Sequence, residues 1–546
     1  MLLSTLRKRE RTTMDRINRA SRLRTASPQI WLALAAFVFT MIACVYYVLV
    51  PARGEFHSDC ADTLFWAQAA WDSGKLLDPD FYYACALPLG GQLFMLPFYG
   101  LFGFSMKTQA LGILLFLATF CGAMFFFFRS LRLSWARTLV CVSAVLCVCL
   151  GSFKLREMFF GHILYYSYSL LFTFVLLGVW ERLRKAENRV WGWLALMAAA
   201  CAVCASNGFS ILAMTVVPMA GMMLFHLYQL LLSGADNKKI RRWLWAAGAA
   251  AAGVAVGLAL HAWLTAGIEA PYEQGYGDFS SSKGWAGNLQ TLLSGWFSLI
   301  GGEPSGSMIT VEGAAFLLRA AWALLILALP MGLLFREASR PLCPLSDANH
   351  WHWTQAAVLL AGWIFGRLNE GNWRLTALAI TGTVVTLLWL CRQWDGWPKV
   401  SRRAAAACLC LTLGGSALGV YSLPTNFKIT NVNYALRDFF AENQLDYGYA
   451  DFWNCGVITA ISDESIKVRN IEYDSEHGGY KPYLYQTRSE WYEDQPDQSQ
   501  YFILLTSKQA EAIEAQGWAV LDKAVEVLNF YYTYVVYVFD FNPMRP

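Results

Sequence analysis

Two carboxylates three residues apart, Asp59 and Asp62, open the stretch best suited to chemistry, HSDCADTLFWAQAAWDSGKLLDPDFYYACALPLGGQLFMLPF (57–98). At the start of a helical pattern, that spacing puts both side chains on one face. So placed, they can bind a divalent cation such as Mg or Mn, or one can take the proton of an acceptor hydroxyl. The competing reading is structural, because Asp is favoured at a helix N-terminus by the dipole. Asp72, Asp78 and Asp80 in the same stretch fit helix-end and turn roles.

Other polar groups sit beside apolar runs. Arg156, Glu157 and His162 fall in FKLREMFFGHILYYS, where the ring of His162 can meet a phosphate or a sugar or serve as an interfacial anchor. Arg319 lies a few residues into an apolar run (AAFLLRAAWALL), where a charge either faces the bundle interior or snorkels to the interface. Arg367, Glu370 and Arg374 form a compact cluster in GRLNEGNWRL. Two guanidiniums there suit a lipid phosphate or diphosphate gripped in bidentate fashion. The alternative is a loop held by its own Arg–Glu pairing.

The elements that must position these groups are membrane helices. Of the 546 residues, 56% are hydrophobic and only 15% charged, against roughly 25% charged in soluble domains. Runs of about 20 apolar residues recur, each long enough to cross a hydrocarbon core. The composition excludes an ordinary soluble chain and predicts an α-helical polytopic membrane protein. Eleven spans are expected, at 29–50, 108–128, 136–153, 163–180, 190–206, 209–232, 243–264, 314–335, 354–368, 374–391 and 404–423. The fifth and sixth meet at the very short connection Ser206-Asn207-Gly208.

Charge bias sets the expected topology. Segments read as inner carry twenty-five Lys/Arg and those read as outer carry eight. This predicts a cytoplasmic basic arm over residues 1–28, a transmembrane domain over 29–423, and an extracytoplasmic domain over 424–546. The first apolar run has full transmembrane length, so the N-terminus reads as a retained span and not a cleaved leader. The outer loops 51–107 and 265–313 are too long to be mere connectors. In the first, a helix is expected over 60–73, followed by a DPDFYY turn. Residues 86–104, broken by Pro88, Gly90-Gly91 and Pro97, read as lying along the interface.

From Thr425 onward the chain has nine Lys/Arg and eighteen Asp/Glu, a net of −9, as expected for a water-soluble unit. It reads as α/β: a helix over 431–444, strands over 447–459 and 465–473, a strand then a helix over 501–505 and 507–516, and strand-rich 525–540. No GxGxxG or Walker loop is present, so no nucleotide is expected, nor a nucleic-acid partner. The fourteen cysteines fall mostly inside apolar runs, as small buried hydrophobes. Cys60 and Cys85 share the first outer loop and can pair only in an oxidising compartment, with thiols as the default.

The segment SDCADTLFWAQAAWDSGKLLDPDFYYACALPLGG resembles polytopic glycosyltransferases of the GT-C superfamily, in the bacterial branch related to protein O-mannosyltransferases and aminoarabinose transferases. An Asp soon after the first span leads an Ala-rich helix, then a Gly, then Pro-Asp-Phe-Tyr-Tyr and Leu-Pro. The tail segment LDYGYADFWNCGVITAISDESIKVRNI is similar to the extracytoplasmic domain of some bacterial members. The resemblance implies a GT-C-like fold and transfer of a hexosyl or pentosyl group from a polyprenyl-phosphate donor on the outer face. The acceptor would be a cell-envelope polymer, a lipid or a protein, with membrane lipids as the surroundings. It makes Asp59 the catalytic position and assigns Arg156, Glu157, His162 and Arg374 to the donor. Cys60 stands where Glu is usual, which leaves open whether Asp62 shares the role and whether a metal is used. The rival readings are a lipid or polysaccharide transporter or flippase, and a non-catalytic membrane scaffold of the same fold. Against transport, the halves show no inverted repeat and no matching pair of broken spans.

Overall fold

A computed structural model of the chain describes residues 28–163, 165–234, 236–270, 278–302, 307–337 and 343–545. The basic arm expected over 1–28 lies outside these residues apart from Pro28, as do parts of the 265–313 loop.

Helix α1 (Pro28–Leu49) passes through a short turn into α2 (Ser58–Ser73). The two-residue strand β1 (Phe81–Tyr82) and the helix α3 (Gln92–Phe102) complete the first loop. Then follow α4 (Met106–Ser130), α5 (Trp135–Cys149), α6 (Phe153–Phe160), α7 (Tyr166–Lys185), α8 (Val190–Ser206), α9 (Gly208–Leu232) and α10 (Asn237–Leu264). After these come α11 (Trp285–Leu299), α12 (Val311–Glu337), α13 (Pro344–Ile364), α14 (Thr376–Gln393) and α15 (Lys399–Leu409).

Among the described residues, seven helices are long and apolar enough to cross a membrane: α1, α4, α9, α10, α12, α14, and α15 with its continuation to Ser422. The protein is therefore a multi-pass membrane protein. Helices α5 and α6 meet at 112° and make an eighth span only if that bent pair counts as one. A helix occupies each of the eleven expected positions, but the count of eleven spans is not reached. Helix α8 has only 17 residues, and α7 ends in Glu181, Arg182, Arg184 and Lys185. Helix α13 begins ten residues before the expected span, in the polar run Ser346-Asp347-Ala348-Asn349-His350. The short α3 confirms that the segment before α4 does not cross, since eleven residues cover roughly 16 Å at 1.5 Å each.

Only Asn207 separates α8 from α9, and Gly208 follows with φ +80°, a backbone that residues with a Cβ rarely adopt. The Asn207 side chain thereby reaches the first loop. Its Oδ1 accepts from Leu89 N at 2.9 Å and its amide donates to Leu89 O at 3.1 Å.

The tail contains α16 (Val432–Glu442), β2 (Tyr447–Ala450), α17 (Phe452–Ile461), β3 (Lys467–Asp474), β4 (Gly479–Pro482), β5 (Thr487–Arg488), β6 (Tyr501–Thr506), α18 (Ser507–Gln516), β7 (Glu526–Phe530) and β8 (Tyr534–Phe539). Its sheet runs β4-β3-β2-β6-β8-β7, with β2 parallel to both β3 and β6 and the remaining pairs antiparallel. The expected α/β character is observed, with one correction: the strand expected over 447–459 stops at Ala450 and a helix begins at Phe452. Residues Cys455 to Ile461 are buried throughout. Such a run carries no periodicity to tell a strand from a helix.

Side chains alternate along β6. Phe502 and Leu504 join the main core with Phe440, Val457 and Ile458, while Tyr501, Ile503 and Leu505 pack with Ala510 and Ile513 of α18. Through α17 the first face reaches the first loop, where Val457 N donates to Ser58 Oγ at 3.2 Å. The tail and the loop also share a sheet: β1 pairs antiparallel with β5, Phe81 opposite Arg488 and Tyr82 opposite Thr487. Gln486 N donates to Tyr82 O at 2.8 Å, and Arg488 Nη2 reaches Asp78 Oδ2 at 2.6 Å and, through Nη1, Asp72 at 3.8 Å. Asp72 and Asp78 thus help fasten the tail in addition to their local roles. Asp78 also closes a turn by accepting from Asp80 N.

Candidate functional site

Four stretches converge beyond the end of α1. His57 is extended (φ −142°, ψ 178°) and leads directly into α2, with Asp59 in the first turn and Asp62 one turn on. The bend after α5 lets Ser152 cap α6, accepting from Leu155 N at 3.1 Å and donating to Leu299 O at 2.5 Å. Helix α6 presents Lys154, Arg156 and Glu157, and the chain then doubles back so that His162 N donates to Glu157 O at 2.7 Å. Between them Gly161 has no room for a side chain, since a Cβ there would lie 2.8 Å from Cys60 Sγ. Cys60 is thereby packed into the wall of the site.

The expectation of a shared face for Asp59 and Asp62 resolves into two neighbouring groups. Asp59 Oδ2 is 3.8 Å from His57 Nδ1, and His57 Nε2 is 3.4 Å from Glu157 Oε2. Glu157 also pairs with Lys154 at 2.7 Å. Asp62, almost fully buried, instead faces His162 Nε2 at 3.7 Å. The two groups feel each other electrically. Burial pushes the Asp62 carboxyl up to about 6, opposed by His162 and reinforced by the charge of Asp59. Burial works against charge on His162, but its contact with Asp62 and the charge of Asp59 win, so its pKa is raised. Each group thus favours the charged form of the other.

His57, Asp59 and Glu157 can each offer one ligand atom, all within 4.8 Å of one another. Both ring nitrogens of His57 are buried without a hydrogen-bond partner, as fits a ring aimed at a cation. An imidazole with two carboxylates is a donor set for a transition-metal ion such as Mn or Zn more than for Mg, which prefers an all-oxygen shell. Lys154 shares Glu157 and would have to yield part of it. Asp62 is not in this group, and Asp59 is the residue the group shares with the expected pair of Asp59 and Asp62.

The remaining sequence candidates surround this centre at different removes. Arg156 is held by Glu55, its Nε at 2.9 Å and its Nη2 on the second oxygen, while Tyr47 donates to Glu55 at 2.6 Å. Its guanidinium is committed within the protein. Arg319 passes Gly301 and Gly419, is close enough to feel the charge of Arg156, and makes no ion pair among the described residues. Arg374 is buried, donating to Arg367 O at 2.5 Å with Glu370 at 3.7 Å, while Arg367 and Glu370 are about half exposed and 3.9 Å apart. This loop borders the site through Trp373, whose ring lies 4.8 Å from Lys154 Nζ.

His57, Lys154 and the tail residues are absent from the set read off the sequence. His57 lies two positions before Asp59, and that adjacency was the available signal. Nothing local marks Gln486, whose Oε1 accepts from Trp66 Nε1 at 2.6 Å and whose side chain also reaches Asp62.

Neither the protein-family models nor the curated proteins compared with the chain give a match. Solved structures do. ArnT from Cupriavidus metallidurans bound to undecaprenyl phosphate aligns with a TM-score of 0.53 at 12% identity, covering 94% of this chain and 98% of that one. The chain has the fold of ArnT. The same protein in its apo state gives a TM-score of 0.51 at 13% identity over 93% and 97%. The oligosaccharyltransferase of Archaeoglobus fulgidus in its apo form reaches 0.46 at 14% identity, over 80% of this chain and 64% of that one. The alignment to ArnT spans helices and tail together.

Proposed function

We propose that the protein is a membrane glycosyltransferase that moves a sugar from a polyprenyl-phosphate donor to an acceptor hydroxyl, with the site and the tail on the extracytoplasmic side. The observation that carries this reading is the cluster itself. A buried Asp62–His162 pair adjoins Asp59, His57 and Glu157 just beyond the first span, in a chain with the fold of a protein crystallised with undecaprenyl phosphate. The excess of Lys/Arg in the opposite loops supports the sidedness.

Asp59 and Asp62 face the acceptor in this reading. A carboxylate with a pKa near the working pH is an efficient proton acceptor, and Asp62 at about 6 meets that condition. Asp62 takes the proton, and His162 orients its carboxylate through their 3.7 Å contact. Asp59 directs the acceptor hydroxyl, and with His57 and Glu157 it would hold the divalent cation for which the donor set is suited. When bound, that ion would neutralise the charge developing on the leaving phosphate. Lys154 and Arg319 are the cations left to meet the same phosphate, whereas Arg156 shapes the wall through Glu55. A narrow cleft beside them, lined by Tyr47, Val48, Phe56, Ile113 and Phe160 with Arg53 and Glu157 among its polar groups, offers an apolar surface to the lipid part of the donor.

The test is lipid analysis of membranes with and without the protein, repeated with Asp59→Asn. Accumulation of one glycosylated polyprenyl phosphate in both the deletion and the variant is expected. Unaltered sugar transfer by Asp59→Asn would sink the reading.

A further inference from the structure

Trp453 is 60% exposed, although the residues that follow it on α17, Asn454 to Ile461, are all buried. The ring is nevertheless held in place from below. Asn454 donates to Asn433 Oδ1 at 2.9 Å, Asn433 to Asn431 Oδ1 at 3.1 Å, and Asn431 to Phe56 O at 2.7 Å, and all three asparagines are buried. This ladder of amides ties the first turn of α17 to the residue before His57. The bond from Val457 N to Ser58 Oγ ties the next turn to the residue after it. A fully satisfied buried network of this kind fixes one arrangement. In that arrangement the Trp453 ring centroid lies 6.3 Å from that of His57. Phe153, at the start of α6 and 41% exposed, lies 6.5 Å from the same imidazole, with Lys154 Nζ 5.3 Å from its ring.

Single exposed apolar side chains are ordinary on a protein surface. Here two open rings from distant parts of the chain meet one cluster of His57, Asp59 and Glu157. The face of an indole is apolar and carries the negative side of its quadrupole, so it attracts polarised C–H groups. A pyranose ring offers such a face of C–H groups, and its rim of hydroxyls is matched by the carboxylates, imidazole and ammonium beside Trp453. Aromatic walls with a few placed polar groups are how sites hold small polar ligands.

We propose that Trp453 is a specificity-determining residue that stacks on the pyranose ring of a substrate, either the sugar carried by the donor or one at the end of a saccharide acceptor. The inference rests on the glycosyltransferase reading for its role in the reaction, and on the placement of Trp453 for the stacking itself. The tail then takes part in sugar recognition: α17 supplies the ring face, while α2 and α6 supply the groups that meet the hydroxyls.

The test uses the full chain labelled with 5-fluorotryptophan in nanodiscs, with the Trp453 resonance assigned as the one missing from Trp453→Phe. One series adds the methyl pyranosides of glucose, galactose and mannose. The other places polyprenyl-phosphate glucose, galactose or mannose in the disc, and sorbitol, which has hydroxyls but no ring, is the control. A saturable shift of the Trp453 resonance with at least one pyranose, and none with sorbitol, is expected. A shift with free pyranosides assigns the stacked ring to the acceptor, and one confined to lipid-linked sugars assigns it to the donor. No shift in either series, or an equal shift with sorbitol, overturns the proposal. In cells, Trp453→Leu keeps an apolar side chain without a ring face, and should raise glycosylated polyprenyl phosphate about threefold or more over the wild type with Tm unchanged. Trp453→Phe should restore most of the transfer, and wild-type lipid levels in Trp453→Leu also overturn the proposal. Asp59→Asn separates the two readings. A resonance shift retained while transfer is lost supports both, whereas transfer retained removes the catalytic assignment and leaves sugar stacking at Trp453 standing.

Discussion

Asp347 and Asp62 are both buried carboxylates facing an imidazole, yet they are built differently. Asp347, on α13, accepts from Trp180 Nε1 at 3.0 Å, meets His226 Nδ1 at 3.1 Å and has Arg184 at 3.6 Å. Both of its oxygens are engaged at short range, and the result is a clasp between α7, α9 and α13. Asp62 has His162 at 3.7 Å, and beside it His57 stands 3.8 Å from Asp59 and 3.4 Å from Glu157, close but without a hydrogen bond to either. A satisfied buried network rigidifies, whereas groups held close but unmet are left for a ligand. The contrast separates structure from site more sharply than burial or charge alone.

Four measurements press on that contrast. The largest effect is expected at the open cluster: Asp59→Asn and Asp62→Asn should each lower the turnover of a labelled polyprenyl-phosphate sugar by about 10²–10⁴-fold, the span of acid–base catalysis, with the melting temperature unchanged. Asp347→Ala should do the reverse, costing about 3–5 kcal/mol of stability by removing the acceptor shared by Trp180, His226 and Arg184, while transfer per folded molecule holds. Loss of transfer in folded Asp347→Ala would erase the distinction. Addition of Mn or Zn should stabilise the wild type by about 2.7 kcal/mol at a hundredfold excess over Kd, read as a higher Tm that vanishes in His57→Ala but not in Asp347→Ala. The smallest effect concerns pH. Asp62 must be ionised to accept a proton, so kcat/KM should rise through about pH 6. Removing the partner that lowers this pKa, as in His162→Gln, should move that limb upward by roughly one unit, worth 1.36 kcal/mol. A limb that moves down or stays would disconnect Asp62 from the reaction.

Much of the fold was legible because the apolar runs and the pattern of α2 are local signals. Helix α2 lies within two residues of its expected start, and β6 with α18 falls where strand and helix were expected. Asp59 and Asp62 were legible for the same reason, since two acids one turn apart after a span stand out locally. What escaped was long-range. The 452–461 helix is apolar on every side and so has no period to read. The partners of Asp62 and of Asp72 and Asp78 come from Gln486 and Arg488, some 400 positions downstream, where only the folded chain brings them together. Even the departure at Cys60 becomes intelligible only beside Gly161, whose missing side chain leaves space for the sulfur.

The pairing of β1 with β5 also sets a clock. Trp66 and Gln486 are 420 residues apart in sequence, and a ribosome adding about 5–20 residues per second needs roughly 20–80 s to cover that interval. During that time the first carboxylates are already in place beside the membrane, but the wall made by the tail does not yet exist. A nascent or truncated chain therefore leaves the first loop without its partner strand, and the contacts of Trp66 and Asp78 with the tail form only when the last domain has folded back.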